Sequence, residues 1–179
     1  LSPYLFLILM TVMFHDIHKD KELEKELKED RILGTLFDEI LYADDTIIHS
    51  TSPEKVEKLL HKIEIEGEKY GLRLNHKKCE ALTVRVTSII KFRNGSKVKE
   101  MNESKYLGCF LNDHGDPKRE LSKRFHKTNT TWKRLELYWK HSNCHTRTKL
   151  QVYNAIIETQ LLYGLESVQL TPATQQKLD

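Results

Sequence analysis

The sequence predicts an α+β fold that ends in an all-helical region. Three observations carry that expectation. Two short β-prone runs, residues 36–42 and 46–50, flank Ala43-Asp44-Asp45, where a tight hairpin turn would sit. Two Ser-Pro pairs, Ser2-Pro3 and Ser52-Pro53, each stand just ahead of a segment with helical character. Beyond Asn112-Asp113-His114-Gly115 only helical periodicities remain.

Taken in order, Ser2-Pro3 opens a first helix. A hydroxyl precedes a proline whose missing N–H costs nothing in the first turn. Residues 4–17 are apolar on most faces, as expected of a helix buried against a sheet. Residues 19–30 are almost entirely charged and are expected to be a connection, either an exposed extension of the helix or a loop. The hairpin around Asp44 follows. Ser52-Pro53-Glu54 then starts a second helix, with Val56, Leu59, Leu60, Ile63 and Tyr70 along one stripe. Gly71 stands where a left-handed C′ residue would end it. Strands are expected over 81–86, over 89–92 and 97–101 on either side of Asn94-Gly95, and over 105–111. In the tail, Leu121, Phe125, Trp132, Leu135 and Trp139 form one stripe, and Leu150, Tyr153, Ile157 and Leu161 another. Thr171-Pro172 begins one more helix. The expected division is residues 1–111 and residues 112–179.

At 39% hydrophobic and 31% charged, the 179 residues hold enough apolar material for a core and too even a mixture for global disorder. The formal charge of +3 is unevenly spread. Residues 112–179 carry 11 Lys/Arg against 7 Asp/Glu, which is compatible with nucleic-acid binding and equally with a solvated helix surface. Three scattered cysteines without a CxxC pair disfavour a disulfide framework and favour an intracellular compartment. Cys144, His145 and His141 are too few for a structural zinc site, which takes four ligands. The apolar run from Tyr4 falls short of the ~20 residues that span a bilayer and lacks the flanks of a secretory signal. The chain starts at Leu1 rather than Met, so further residues are expected upstream.

The chemistry concentrates at Asp44 and Asp45. Adjacent aspartates repel, and strands disfavour Asp. A hard divalent cation such as Mg²⁺ would offset that cost, because it takes carboxylate oxygens and brings water and phosphate ligands of its own. The competing reading is plain turn chemistry, which Asp also serves well. The flanking Tyr42 and the β-branched run Thr46-Ile47-Ile48 weaken the second reading without eliminating it.

Four segments together carry a family resemblance. Tyr42-Ala43-Asp44-Asp45 resembles the YxDD motif of reverse transcriptases. Leu1-Ser2-Pro3-Tyr4-Leu5-Phe6 is similar to the end of the preceding motif, QGxPLSPxLF. Gly71-Leu72-Arg73-Leu74-Asn75-His76-Lys77-Lys78-Cys79-Glu80 resembles the following GLxLNxxKxE pattern. Lys105-Tyr106-Leu107-Gly108 is similar to the primer-grip motif at the palm–thumb hinge. Each is weak alone, and four in order at plausible separations are strong. Tyr153-Asn154-Ala155-Ile156-Ile157 and Leu162-Tyr163-Gly164-Leu165-Glu166 resemble the thumb of LINE-type, non-LTR retrotransposon enzymes.

The resemblance implies an incomplete palm, an antiparallel sheet packed on helices, followed by a helical thumb. It implies an RNA template, a DNA primer, deoxynucleoside triphosphates and two Mg²⁺ ions in the complete enzyme. Asp44 would ligate the metals directly and Asp45 would complete or support the site. Lys78 would approach the triphosphate, with an ordinary surface lysine as the alternative. Tyr42 and Ala43 flank the acids at the nucleic acid, and Tyr106 and Gly108 would position the primer end. Lys118, Arg119, Lys123, Arg124 and Lys127, with Lys133 and Arg134, would track duplex phosphates. Trp132 and Trp139 are expected in the core. The family's chemistry uses a further aspartate upstream of the LSPYLF segment, together with fingers. Residues 1–179 include neither, so this polypeptide is expected to be a fragment or a decayed remnant, inactive by itself. A non-enzymatic nucleic-acid-binding role is the alternative.

Overall fold

Residues 1–102 and 103–179 form two units in the computed structural model. It describes residues 2–29, 32, 34, 35, 37–85, 88–115, 117–165 and 170–176. Leu1, Leu36, Val86 and Glu166, which carry parts of the expectations above, lie outside the described residues. The architecture is α+β, built of helices and three two-stranded sheets among the described residues.

In the first unit, helix α1 (Ser2–His18) follows the Ser-Pro start. Its buried face is narrower than its composition suggests. Met13, Phe14 and Ile17 are buried, whereas Tyr4, Leu5, Leu7, Ile8 and Val12 are exposed. The charged stretch that follows is a helix, α2 (Lys21–Glu29), and not a loop. Leu23 and Leu27, four apart, place one small apolar patch on it, and Leu27 is 2% exposed. Two leucines suffice for docking where the neighbour supplies the rest of the core. Strands β1 (Glu39–Tyr42) and β2 (Asp45–Ile48) form the expected antiparallel hairpin.

Helix α3 (Pro53–Lys69) starts at the second Ser-Pro pair. It ends as its sequence dictates: Gly71 has φ +73°, its N–H donates to the Glu68 carbonyl, and the Leu72 N–H donates to Gly67 at 2.8 Å. These paired bonds are a Schellman close, which needs the left-handed residue that glycine supplies. Leu59 and Ile63 of α3 pack with Met13, Phe14, Ile17 and Leu27. Leu60, one residue round the helix, joins Ile90 and Phe92 in a second cluster, and Ile48 and Leu74 touch both.

The strands after α3 depart from expectation. Strand β3 (Glu80–Leu82) pairs parallel with β4 (Lys99–Met101). The Asn94-Gly95 turn forms, with Gly95 at φ +80°, but its arms share only the Lys91–Lys97 bridge as a ladder. The outgoing arm is used by β3 instead.

In the second unit, the single strand expected over 105–111 is a hairpin of β5 (Glu103–Tyr106) and β6 (Cys109–Asn112). Leu107 and Gly108 form its two-residue loop, at φ +47° and +88°. Positive φ at both central positions is the I′ turn, which matches the twist of the strands. Helices α4 (Pro117–Arg134), α5 (Glu136–His141) and α6 (Thr146–Val152) follow, then a π-helical stretch (Tyr153–Glu158) and α7 (Thr159–Leu162). Thr171 caps α8 (Pro172–Gln175), whose start was legible in Thr171-Pro172. Trp132 and Trp139 are not core residues. Their rings stack on each other at 4.7 Å, Trp132 meets Tyr153 edge-on, and Trp132 remains 42% exposed. No described helix is long and apolar enough to cross a membrane.

Candidate nucleotidyl-transfer site

The β1–β2 ladder pairs Glu39 with Ile48 and Tyr42 with Asp45, which leaves Ala43-Asp44 as the loop. Ala43 has φ +54° and is the only central residue with positive φ, as in a II′ turn. That position favours glycine, and an alanine there costs about 1–2 kcal/mol. Asp44 is therefore the second loop residue and Asp45 the first residue of β2. Both are exposed. Neither carboxylate makes a hydrogen bond or an ion pair among the described residues, so two like charges stand adjacent at the turn.

The base of the hairpin is held while its tip projects. Ile48 packs into both apolar clusters. The His49 N–H donates to the Asp38 carbonyl at 2.9 Å, and His18 Nε2 lies 2.7 Å from Glu39 Oε1, joining α1 to β1. A two-stranded ribbon is marginal by itself, so these contacts set its direction. Towards the tip, Ile40, Leu41 and Tyr42 are exposed.

The donor set fits a magnesium ion in kind: hard, anionic oxygens at one point, open to solvent. It supplies two carboxylates, and among the described residues no group of three or more His, Cys, Asp or Glu gathers that could hold a metal. Mg²⁺ held through one or two carboxylates takes the rest of its shell from water and substrate phosphates.

Lys78 belongs to a loop whose construction explains its motif. After the Gly71 close, Leu72 and Leu74 turn inward and Arg73 outward. Asn75 then organises a turn: its carbonyl accepts the Lys78 N–H at 2.9 Å and its side chain accepts from the Lys77 N–H at 3.2 Å. His76 is pinned by a stack on Phe92 at 3.9 Å and by Glu64 at 2.9 Å. Lys77 and Lys78 are left exposed. Burial, then the charge of Glu64, pushes the Cys79 thiol up, which makes it a packing group and not a nucleophile.

In the second unit Tyr106 is half-buried and Gly108 is exposed at the β5–β6 turn. On α4, Lys118, Arg119 and Lys127 are exposed. Lys123 pairs with Glu103 and lies 3.9 Å above the Phe110 ring. Arg124 does not face solvent. It is 7% exposed and donates to Glu120, to the Tyr163 carbonyl and to Cys109 Sγ at 3.1 Å, so a phosphate-tracking role does not suit it. The Glu120–Arg124 pair is an i,i+4 spacing visible in the sequence. Its burial was not visible, because the burying partners are 15 and 39 residues away. The His18–Glu39 contact was missed for the same reason.

An acid pair on an anchored hairpin, followed by a lysine-bearing loop, is a layout suited to metal-dependent phosphoryl chemistry. The sequence profile of reverse transcriptase (RNA-dependent DNA polymerase) matches residues 1–111, and the chain belongs to that family. The match spans the hairpin, the 71–80 loop and the β5–β6 turn. The family's general activity is RNA-directed DNA synthesis, which involves a template, a primer and deoxynucleoside triphosphates. No curated protein and no solved structure matches the chain.

Proposed function

We propose that this chain is the rear of a reverse-transcriptase palm with part of its thumb, from a LINE-type element. In this reading Asp44 and Asp45 hold the catalytic metals during extension of a DNA primer on an RNA template. The observation that carries it is the hairpin tip: two exposed, unpaired carboxylates at a strained turn on a fixed base. When bound there, magnesium would lower the pKa of the primer 3′-hydroxyl and neutralise charge on the leaving pyrophosphate.

The chain's own residues divide the remaining work. Lys78, exposed on a turn that Asn75 and His76 hold rigid, reaches for the triphosphate and donates a proton to the leaving oxygen. Tyr42 and Ala43 flank the acids at the nucleic acid. Tyr106 and Gly108 position the primer end through backbone shape. Lys118, Arg119 and Lys127 bind duplex phosphates. The palm–thumb boundary falls near residue 111 in this reading. With two acids at the hairpin and no third gathered to them among the described residues, the chain in this reading binds metal without completing the reaction.

Mn²⁺ titration followed by electron paramagnetic resonance tests the assignment. Asp44→Asn is expected to abolish binding at the hairpin and Asp45→Asn to weaken it. Binding unchanged in Asp44→Asn would remove the metal role. Extension of a primed RNA template by this polypeptide would overturn its incompetence in isolation.

A further inference from the structure

We propose that Tyr163 is a nucleobase-stacking residue that positions the primer end beside the Leu107-Gly108 turn. The proposal rests on the reading of that turn given above and adds to it an aromatic partner from the far end of the unit's sequence.

The first argument is the mount. A Cβ at Gly108 would stand 3.1 Å from Tyr163 Cε1, so the ring closes directly on the backbone of the turn. Gly164 reciprocates, since a Cβ there would stand 3.0 Å from Cys109 Sγ. Two glycines at positive φ thus let the Tyr163 ring lie against Gly108 and the Cys109 sulfur against Gly164. The contact is then locked from beneath. Arg124 donates to the Tyr163 carbonyl and to Cys109 Sγ, and Glu120 accepts both from Arg124 and from the Phe110 N–H at 2.8 Å. Glu120 and Arg124 are 3% and 7% exposed, so this is a buried, charge-assisted mount.

The second argument is what the mount presents. Tyr163 remains 60% exposed although its backbone is fixed on both sides. An ordinary surface tyrosine loses rotamer freedom when a ligand orders it; a ring already held in place loses less. A planar base stacks on such a ring without sequence preference. The chemistry beside it favours a base over a phosphate. The adjoining concavity is lined by Asn154, Glu158, Thr159, Leu162, Tyr163 and Gly164, where the π-helical stretch meets α7. Among these described residues Glu158 is the charged side chain, and it repels phosphate and accepts from the exocyclic N–H groups of bases.

The test uses the 179-residue chain and a DNA primer, annealed to RNA, that ends in 3′-terminal 2-aminopurine. Anisotropy reports binding and 2-aminopurine quenching reports stacking at that one base. Quenching by the wild type, retained in Tyr163→Phe and lost in Tyr163→Leu, is expected, with affinity lowered about fivefold or more in the leucine variant. Leucine keeps an apolar contact with Gly108, so a merely structural role would leave the quench in place. Tyr163→Leu with undiminished quench and normal affinity would overturn the proposal while leaving the duplex reading intact. Absence of duplex binding by the wild type would overturn both.

Discussion

Removing the Arg124 guanidinium would leave the Glu120 carboxylate 3% exposed and without its cation. Breaking one half of a buried pair in this way costs about 3–5 kcal/mol, far more than losing a surface ion pair. Arg124→Ala is therefore expected to destabilise the unit of residues 103–179 by about that amount. Trp132 and Trp139 both lie in that unit, so their fluorescence through a urea titration reports it. Stability unchanged within about 0.5 kcal/mol would show that water replaces the guanidinium and that the mount is soft. At this scale the sequence is uneven evidence. Asp44 and Asp45 are legible because their constraint is local: a two-residue turn between β-prone runs. Arg124 looks like one more cation on a basic helix, and only Cys109 and Tyr163 make it a packing residue.

Helix α3 is tied to the two helices before it by charge as well as by its leucines. Tyr70, its C-cap residue, donates to Asp16 of α1, and Lys62 of α3 lies 3.0 Å from Asp20, the residue just ahead of α2. Hydrogen bonds from Lys19 and then Tyr70 hold the Asp16 carboxyl below the usual carboxylate value. Lys62 and then the Leu23 N–H do the same for Asp20. A carboxyl whose folded pKa is depressed stabilises the fold fully above its unfolded pKa, about 4. That contribution is lost as pH falls through the folded value. Residues 1–102 are thus expected to lose stability below about pH 4. Asp16→Asn with Asp20→Asn should flatten that acid limb and lower stability at pH 7. Hydrogen exchange of α1 and α3 amides against pH measures it, and an acid limb unchanged in the double variant would assign the loss to other groups. The same elements show why some boundaries could be read and others not. Ser-Pro starts and the Gly71 close are backbone rules written in two or three residues. Helix α2 hid its docking face in Leu23 and Leu27, and β4 took β3 as its partner through long-range packing.

Across the whole chain, charge has been sorted between the units. The basic excess lies in residues 112–179, and most of it on α4. At 3.6 residues per turn, Arg119, Lys123, Lys127 and Arg134 fall within about a quarter of the helix circumference. Leu121 and Thr128 take the buried side, with Arg124 turned in beside them. Lys123 is engaged by Glu103 and Phe110, so Arg119, Lys127 and Arg134 are the cations that this stripe offers to an anion. A stripe of this kind binds phosphates by releasing counterions, which makes affinity fall linearly with salt on logarithmic axes, by about 0.9 per contact on a duplex. Replacing Arg119, Lys127 and Arg134 with alanine should weaken RNA–DNA duplex binding for every sequence alike. It should also make the salt slope shallower by about 2–3. Anisotropy titrations from low to high potassium chloride measure both quantities. A slope unchanged by the triple substitution would place the phosphate contacts elsewhere and leave α4 with a solvated basic face. Asp44→Asn should leave the same slope untouched, because the proposed role of the hairpin carboxylates is to hold cations and not phosphates; a change there would mean that these carboxylates also bear on duplex binding.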